Sequence, residues 1–352
     1  MNEFELTINE TLYQGWKTAA AKRTMKALAN GFSLDVTDTW TGQERPWPIK
    51  VGDACSLSID GVEILDGYVD TVNPSISADQ KTIQVAGRCK AGDLVDCSAS
   101  DEPGEFLKVP LTAIVKKLTA PFAGISVEAL TNVGEKFPVW KVTPGEGVFE
   151  SIERAARQRA VLIYSDGLGK VLLARAGTER LPGALVQGQN VLTAAASFSM
   201  VDRFSNYTVK SQVGGFEDME AEDAQTIEGK ASDRVVSRHR PKILIAESQS
   251  EPSNAKKRAQ WEAAVRAGQA EAVSCTVVGF YSHGESLWDV NKQVRFTSTW
   301  LGVDADFLIT EVDFSKTEQG SITTLTLENP NVYKLLEEIP PQSSSVFWDI
   351  PQ

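Results

Sequence analysis

Residues 47–72 read WPIKVGDACSLSIDGVEILDGYVDTV, and the alternation inside this stretch decides the fold class. Apolar and polar residues alternate through ACSLSI and again through VEILDGYVDTV, with Asp60 and Gly61 between them. One face of each run is therefore set for burial and the other for water, the pattern of an antiparallel hairpin. A third alternating run, KTIQVAGR (81–88), extends it into a meander. The same spacing returns at 287–312, LWDVNKQVRFTSTWLGVDADFLITEV. There Gly302 stands at the place of Gly61, Asp306 at that of Asp66, Ile309 at that of Val69 and Val312 at that of Val72. Each copy is followed by a further strand, KTIQVAGR or TTLTLENP. Any two antiparallel meanders share some of this spacing, whereas a duplicated β-barrel module accounts for all of it. Three such chains closed into a ring would turn six similar modules toward one threefold axis.

Working outward, FELTINETLY and GFSLDVTDTW alternate as strands, and the first β-barrel domain is placed at 1–99. KTAAAKRTMKALANG (17–31) is ambiguous, because its alanines favour a helix while its apolar spacing is poor for one. Residues 100–182 form a small α+β domain. PLTAIVKKLTAPF carries Leu111, Ile114, Val115 and Leu118 at helical spacing. In TPGEGVFESIERAARQRA, Thr143 is a candidate cap with Pro144 at the first helical position, and Val148, Ile152 and Ala155 or Ala156 form the stripe. AVLIYSDGLGKVLLAR is a hairpin turning at DGLG. The second barrel is placed at 183–213 and 272–331, interrupted by an inserted loop and helix region at 214–271. The helix there, SNAKKRAQWEAAVRAGQAEA, has Ser253 or Asn254 as its cap. Residues 332–352 are a C-terminal tail. The fold class is thus mainly β with α+β insertions.

The chain has 352 residues, 42% of them hydrophobic, and a net charge of −12. That charge argues against a chain that grips nucleic acid, since phosphate binding rests on clustered cations. It suits a conduit that nucleic acid must pass without sticking. The sequence has no run of 18 apolar residues for a membrane span, and the acidic start MNEFELTINETLY lacks a signal peptide's apolar region, so synthesis in a cytoplasm is expected. Four cysteines without CxxC spacing and only two histidines speak against a zinc site, and free thiols are expected rather than a disulfide between Cys89 and Cys97. No GxSxG, Walker loop or GxGxxG is present. His283 lies among Ser282, Glu285 and Ser286 but reads as a solvated loop residue. Glu150 and Glu153 lie one helical turn apart, and Glu150 also faces Arg154 at i+4 as a surface pair. No catalytic, cofactor-binding or metal-ligating residue is assigned.

The stretch GRCKAGDLVDCSA (87–99) crowds a basic residue, two cysteines and two aspartates together, and it reads as a barrel corner rather than a reactive site. Gly87 ends a strand in a conformation that a Cβ resists, Asp93 caps a short turn, Leu94 and Val95 plug the barrel end, and Arg88 pairs with Asp93 or Asp96. The acidic run with Asp218 and Glu220, and the basic run with Arg234, Arg238 and Arg240, are candidate subunit contacts. A solvated loop and a DNA contact are the other readings of them. Phe347, Trp348 and Ile350, on a Pro/Ser tether, form a candidate docking tail or fold back on their own subunit.

The corner lies within GYVDTVNPSISADQKTIQVAGRCKAGDLVDCSA (67–99), which resembles the baseplate hub proteins of contractile-tailed bacteriophages of the Mu type. The resemblance rests on Gly67 to Asp70 in a G-Y-V-D strand and on Gly87, Arg88, Asp93, Leu94 and Asp96 in the corner. It extends to PGEGVFESIERAARQRAVLIYSDGLGKVLLAR (144–175), LWDVNKQVRF (287–296) and DFLITEVDFS (306–315). It implies two similar barrels per chain and a ring-shaped homotrimer between the tail tube protein and the central spike protein, touching other baseplate proteins. DNA would pass through without specific binding, and no cofactor or enzymatic activity is implied. It places the chain in the virion tail baseplate, assembled in the host cytoplasm. The rival readings are a hub of a tail-like bacteriocin or type VI spike base, and a peptidoglycan hydrolase used in entry.

Overall fold

A computed structural model describes residues 2–37, 49–78, 81–99, 104–159, 161–212, 226–245, 252–284 and 286–333. One 13-stranded sheet dominates it. From one end its strands run Val191–Phe198, Glu271–Val278, Gly320–Glu328, Val303–Thr317, Thr18–Thr24, Gly31–Thr37, Lys81–Cys89, Val62–Ile76, Ala54–Ile59, Phe4–Ile8 and Thr11–Tyr13. Off this path, Gln293–Ser298 pairs with the first half of Val303–Thr317 and carries Arg180–Val186 on its far side.

The echo seen in the sequence is present in the backbone. Ala54–Ile59, Val62–Ile76 and Lys81–Cys89 are 6, 15 and 9 residues long, and so are Gln293–Ser298, Val303–Thr317 and Gly320–Glu328. Each long central strand shifts register at the same place, between Val69 and Thr71 in one copy and between Ile309 and Glu311 in the other. A β-bulge inserts one residue and increases the local twist, so each long strand bends at Asp70 or Thr310 and serves two neighbours in turn. The loop before each meander is tied down alike: Gly52 donates to the Val69 carbonyl and Asn291 to that of Ile309, both at 2.8 Å. One strand departs from the pattern. Phe4–Ile8 runs antiparallel to Ala54–Ile59, whereas Arg180–Val186 runs parallel to Gln293–Ser298.

The ladders differ from two separate closed barrels. Among the described residues neither module closes on itself, and residues 311–316 of the second pair with 19–24 of the first. The two modules thereby share one sheet. The partner strand is the alanine-rich run that composition alone inclines toward helix. Ala19 and Ala21 are buried in it, and this packing overrides a propensity difference of well under about 1 kcal/mol per residue. Phe280 packs edge-on against both Phe4 and Phe314, at 5.3 and 5.4 Å between centroids, and so locks the modules together.

The middle region is an α+β unit with helices Leu111–Thr119 and Val148–Gln158. The second helix starts four residues later than the Thr143 cap would place it. Gly147 occupies the cap, and Glu150 reaches back to its N–H at 3.4 Å. Arg154 bonds Glu146 at 2.8 Å and stacks on Trp140, in place of the expected pair with Glu150. The strand Asn206–Gln212, assigned from sequence to the second barrel, pairs instead with Thr226–Ser232 and Pro241–Ile245. Helix Pro252–Gln269 covers that small sheet through Tyr207, Val209, Ala255, Ala259 and Ala263. No helix among the described residues is long and apolar enough to cross a membrane. Cys55, Cys89 and Cys275 are buried free thiols and Cys97 is an exposed one.

Glu271, where the inserted unit rejoins the main sheet, is buried. Burial pushes its carboxyl up to about 7, with Arg203 opposing and Asp233 reinforcing the shift. In the unfolded chain the group ionises near 4.5, so as pH rises the unfolded state loses the proton first and stability falls. The penalty is absent below that value and complete above about 7. Glu271→Gln should leave stability unchanged near pH 4 and raise it by roughly 2–3 kcal/mol at pH 8. Urea melts at both values check this.

Candidate functional site

Eight consecutive strands, from Val191–Phe198 to Val62–Ile76, are antiparallel throughout. Because side chains alternate across a strand, this sheet has two distinct faces. Val273, Leu325, Val312, Ala21, Leu34 and Val85 point into the core and are buried. The opposite face carries Ser274, Thr324, Asp313, Ala20, Asp35 and Gln84, all half-buried or exposed. Apart from Gln84, Lys22 and Glu311, the residues named on it are small, hydroxylated or short-chained. Charges on it neutralise one another: Lys22 lies 2.8 Å from Glu311 and 3.9 Å from Asp313. Asp35 accepts from Thr18 at 2.6 Å. Burial raises the Asp313 carboxyl above the usual carboxylate range, with Lys22 working against it. A face of this kind offers phosphates no cluster of cations and offers bases no stacking surface. It can line a passage without gripping what passes.

The corner at 87–99 braces one end of this sheet. Arg88 donates to Asp70 at 2.7 Å and to Asp96 at 2.6 and 3.2 Å. The Asp96 hydrogen bond, then that to Asp70, raises the guanidinium pKa, and Arg88 in turn holds the Asp96 carboxyl below its usual range. The bulged Asp70 is thus tied to the short helix Gly92–Asp96. Asp93 lies in the first turn of that helix, where only its backbone carbonyl bonds Cys97. Leu94 is fully buried, but Val95 is exposed and does not plug the barrel. Gly87 does not have a positive φ. Its requirement is space, since a Cβ there would meet the Tyr68 carbonyl oxygen at 2.2 Å and the Phe32 ring at 2.8 Å. Gly67 faces the same constraint on the neighbouring strand. Arg88→Met should cost about 1 kcal/mol or less, because all three side chains are partly exposed, and the difference should vanish in 1 M salt.

The relatives match along this whole framework. Three family models apply: "Mu phage baseplate assembly protein GpP-like, N-terminal" over residues 3–89, "Baseplate hub protein gp44-like, second domain" over 91–175, and "Mu phage baseplate assembly protein GpP, fourth domain" over 251–336. The baseplate hub protein gp44 of Escherichia phage Mu is 30% identical over 331 residues, covering 92% of this chain and 86% of that one. The chain belongs to the Mu-type baseplate hub family. A crystal structure of a 43 kDa tail protein of prophage MuSo2 from Shewanella oneidensis superposes with a TM-score of 0.85 at 32% identity, over 94% of this chain and 100% of that one. A tail protein of Neisseria meningitidis has the same fold, with a TM-score of 0.82 at 19% identity over 94% and 97% of the two chains. The hub's matched models coincide with the first module, the α+β unit, and the helix with the second meander.

The remaining expected positions of the hub divide. Arg234 and Arg238 are exposed. Arg240 is engaged within its own chain, donating to the Val201 and Arg203 carbonyls at 2.7 and 3.1 Å and stacking on Phe204 at 5.2 Å. Asp218 and Glu220, and the tail residues Phe347, Trp348 and Ile350, lie outside the described residues. His283 sits exposed in a tight turn with a φ of 50°. Sequence reasoning missed Arg203 and Asp233, a pair buried to 4% and 0% with a 2.5 Å bond. Nothing in their spacing, 30 residues apart, could have signalled it.

Proposed function

We propose that this structural baseplate hub works as a homotrimeric ring between the tail tube and the central spike of a contractile tail. Two similar β modules per chain would present six quasi-equivalent units to the sixfold tube above and keep threefold symmetry toward the spike below. The observation that carries this reading is the duplicated meander, equal in strand lengths and in bulge position. The face of the shared sheet, rich in small side chains and with Lys22 paired to Glu311 and Asp313, would line the bore and let the genome leave without specific binding. The α+β unit at 100–182 and the inserted unit sit outside that sheet path, available to neighbouring baseplate proteins. The residues of the 87–99 corner act as structural braces, with no catalytic, metal or cofactor role. Assembly takes place in the host cytoplasm, and the final location is the virion baseplate.

Gold-labelled antibody against the chain, applied to purified tails, tests the placement. Label at the spike end of the tube is expected; label along the tube, or tails that lack the chain, would overturn it.

A further inference from the structure

The last described turn of the chain carries the start signals of a longer helix. Asn329 caps it, its side-chain oxygen accepting from the Asn331 N–H at 3.0 Å. Pro330 opens the turn Pro330–Tyr333, at the position where a helix needs no N–H. In the sequence that follows, Leu335, Leu336 and Ile339 stand three, four and seven residues after the buried Val332, which is the spacing of one apolar helix face. Lys334, Glu337 and Glu338 take the other positions, and Pro340 with Pro341 marks the stop. Residues 334–339 lie outside the described residues, but the stripe they continue begins inside them.

That first turn is fastened on the wall of a cavity. Val332 packs so closely on Gly268, in helix Pro252–Gln269, that a Cβ there would lie 2.1 Å from its Cγ2. The Tyr333 hydroxyl donates to Glu328, and the Tyr333 carbonyl accepts from the Ala176 N–H at 3.4 Å. Val332 and Tyr333 both line a cavity of about 550 Å³ shared by the main sheet, the α+β unit and helix Pro252–Gln269. Its apolar walls are Met25, Phe149, Val161, Ile163, Trp261 and Val265. Phe149 and Trp261 are only half-buried, so the aromatic part of the wall still has surface to cover. At the edge, Lys26 and Tyr333 are both bonded to Glu328, while Arg157 is exposed.

We propose that residues 334–339 continue this helix and seat Leu335, Leu336 and Ile339 in the cavity, strapping the α+β unit and the inserted helix to the main sheet. The occupant is the chain's own segment because Tyr333 already stands on the wall. At 1.5 Å per residue, Ile339 lies about 9 Å beyond it along the helix axis. Arg157 on the rim supplies a cation for the acidic pair Glu337 and Glu338 on the outer face. The inference concerns a single chain and does not depend on the ring.

Thiol reactivity tests the strap. In a Cys97→Ser background the remaining cysteines, Cys55, Cys89 and Cys275, are buried, so one added thiol is read alone. In the native full-length chain Leu336→Cys should react with a maleimide roughly tenfold or more slowly than Glu337→Cys, and the two should react alike in urea. Trp261→Ala widens the cavity and should raise the Leu336→Cys rate about threefold or more. Equal rates for the two cysteines, or a Leu336→Cys rate that Trp261→Ala leaves unchanged, would place the segment elsewhere and overturn the proposal. Gln269 lines the cavity and is exposed, so a bismaleimide applied to Glu337→Cys with Gln269→Cys should bridge the thiols within one polypeptide. Dimers on a denaturing gel would seat another copy's segment there, and no bridge at all would leave the cavity open; either result overturns the proposal.

Discussion

Gly67→Ala is expected to cost about 3 kcal/mol or more and to leave the first module unable to form its meander. The cause is one added atom. A Cβ at Gly67 would lie 1.9 Å from the Arg88 carbonyl oxygen, 2.6 Å from the Cys89 Cα and 2.8 Å from the Arg88 carbonyl carbon. All three are backbone atoms in the ladder that pairs Gly67 with Cys89, so no side-chain rotation relieves the contact. The strand would have to separate just where the corner begins, taking the Arg88 brace with it. Gly92→Ala is the control. Its Cβ would touch only Arg88 side-chain atoms at 3.4 Å or more, and it lies in a helix, where alanine is favoured over glycine. Its stability should stay within about 0.5 kcal/mol of the parent or rise. Chemical denaturation of the two variants side by side separates local overpacking from a general intolerance of the corner.

Asp233→Ala is expected to cost roughly 3–5 kcal/mol, with the loss concentrated in the inserted unit. Arg203 and Asp233 are both buried, joined by hydrogen bonds of 2.5 and 3.3 Å. Removing the carboxylate leaves a guanidinium in the interior without the partner that bonds it, and Glu271 nearby is itself disfavoured as a charge by burial. Asp233 also accepts from the Val235 N–H at 3.0 Å, so the turn that leads to Arg240 loses its anchor. Replacing both residues by apolar ones of similar size should recover much of the loss, because the desolvation penalty disappears with the pair. Hydrogen exchange should show the strands Asn206–Gln212 and Thr226–Ser232 opening in the single variant while Lys81–Cys89 keeps its protection. Uniform loss of protection across the chain would contradict a local role.

What the sequence made legible is what alternation encodes. The meanders at 54–89 and 293–328, and the match between them, follow from period-two patterning and from glycines at turns. Thr18–Thr24 was not legible, because three alanines carry no alternation and take their conformation from the neighbouring strand. The joining of the modules into one sheet was hidden for a related reason. Its decisive ladder sets 311–316 against 19–24, almost the length of the chain apart, and no local signal encodes a partner at that distance. The corner shows both sides. Its charged residues announced a brace, and Asp96 is among the partners expected for Arg88. Asp70 became a partner only through the bulge, and the glycine requirement at Gly87 came from the close approach of a second strand rather than from its own φ. A buried pair such as Arg203 and Asp233 leaves no mark in composition or spacing.

The proposed function requires three chains in one particle, and the mass of that particle in solution tests it most directly. Sedimentation equilibrium of the full-length chain at micromolar concentration should give three times 38.3 kDa, about 115 kDa, stable on dilution as an obligate interface requires. A 38.3 kDa species that persists as concentration rises would contradict it.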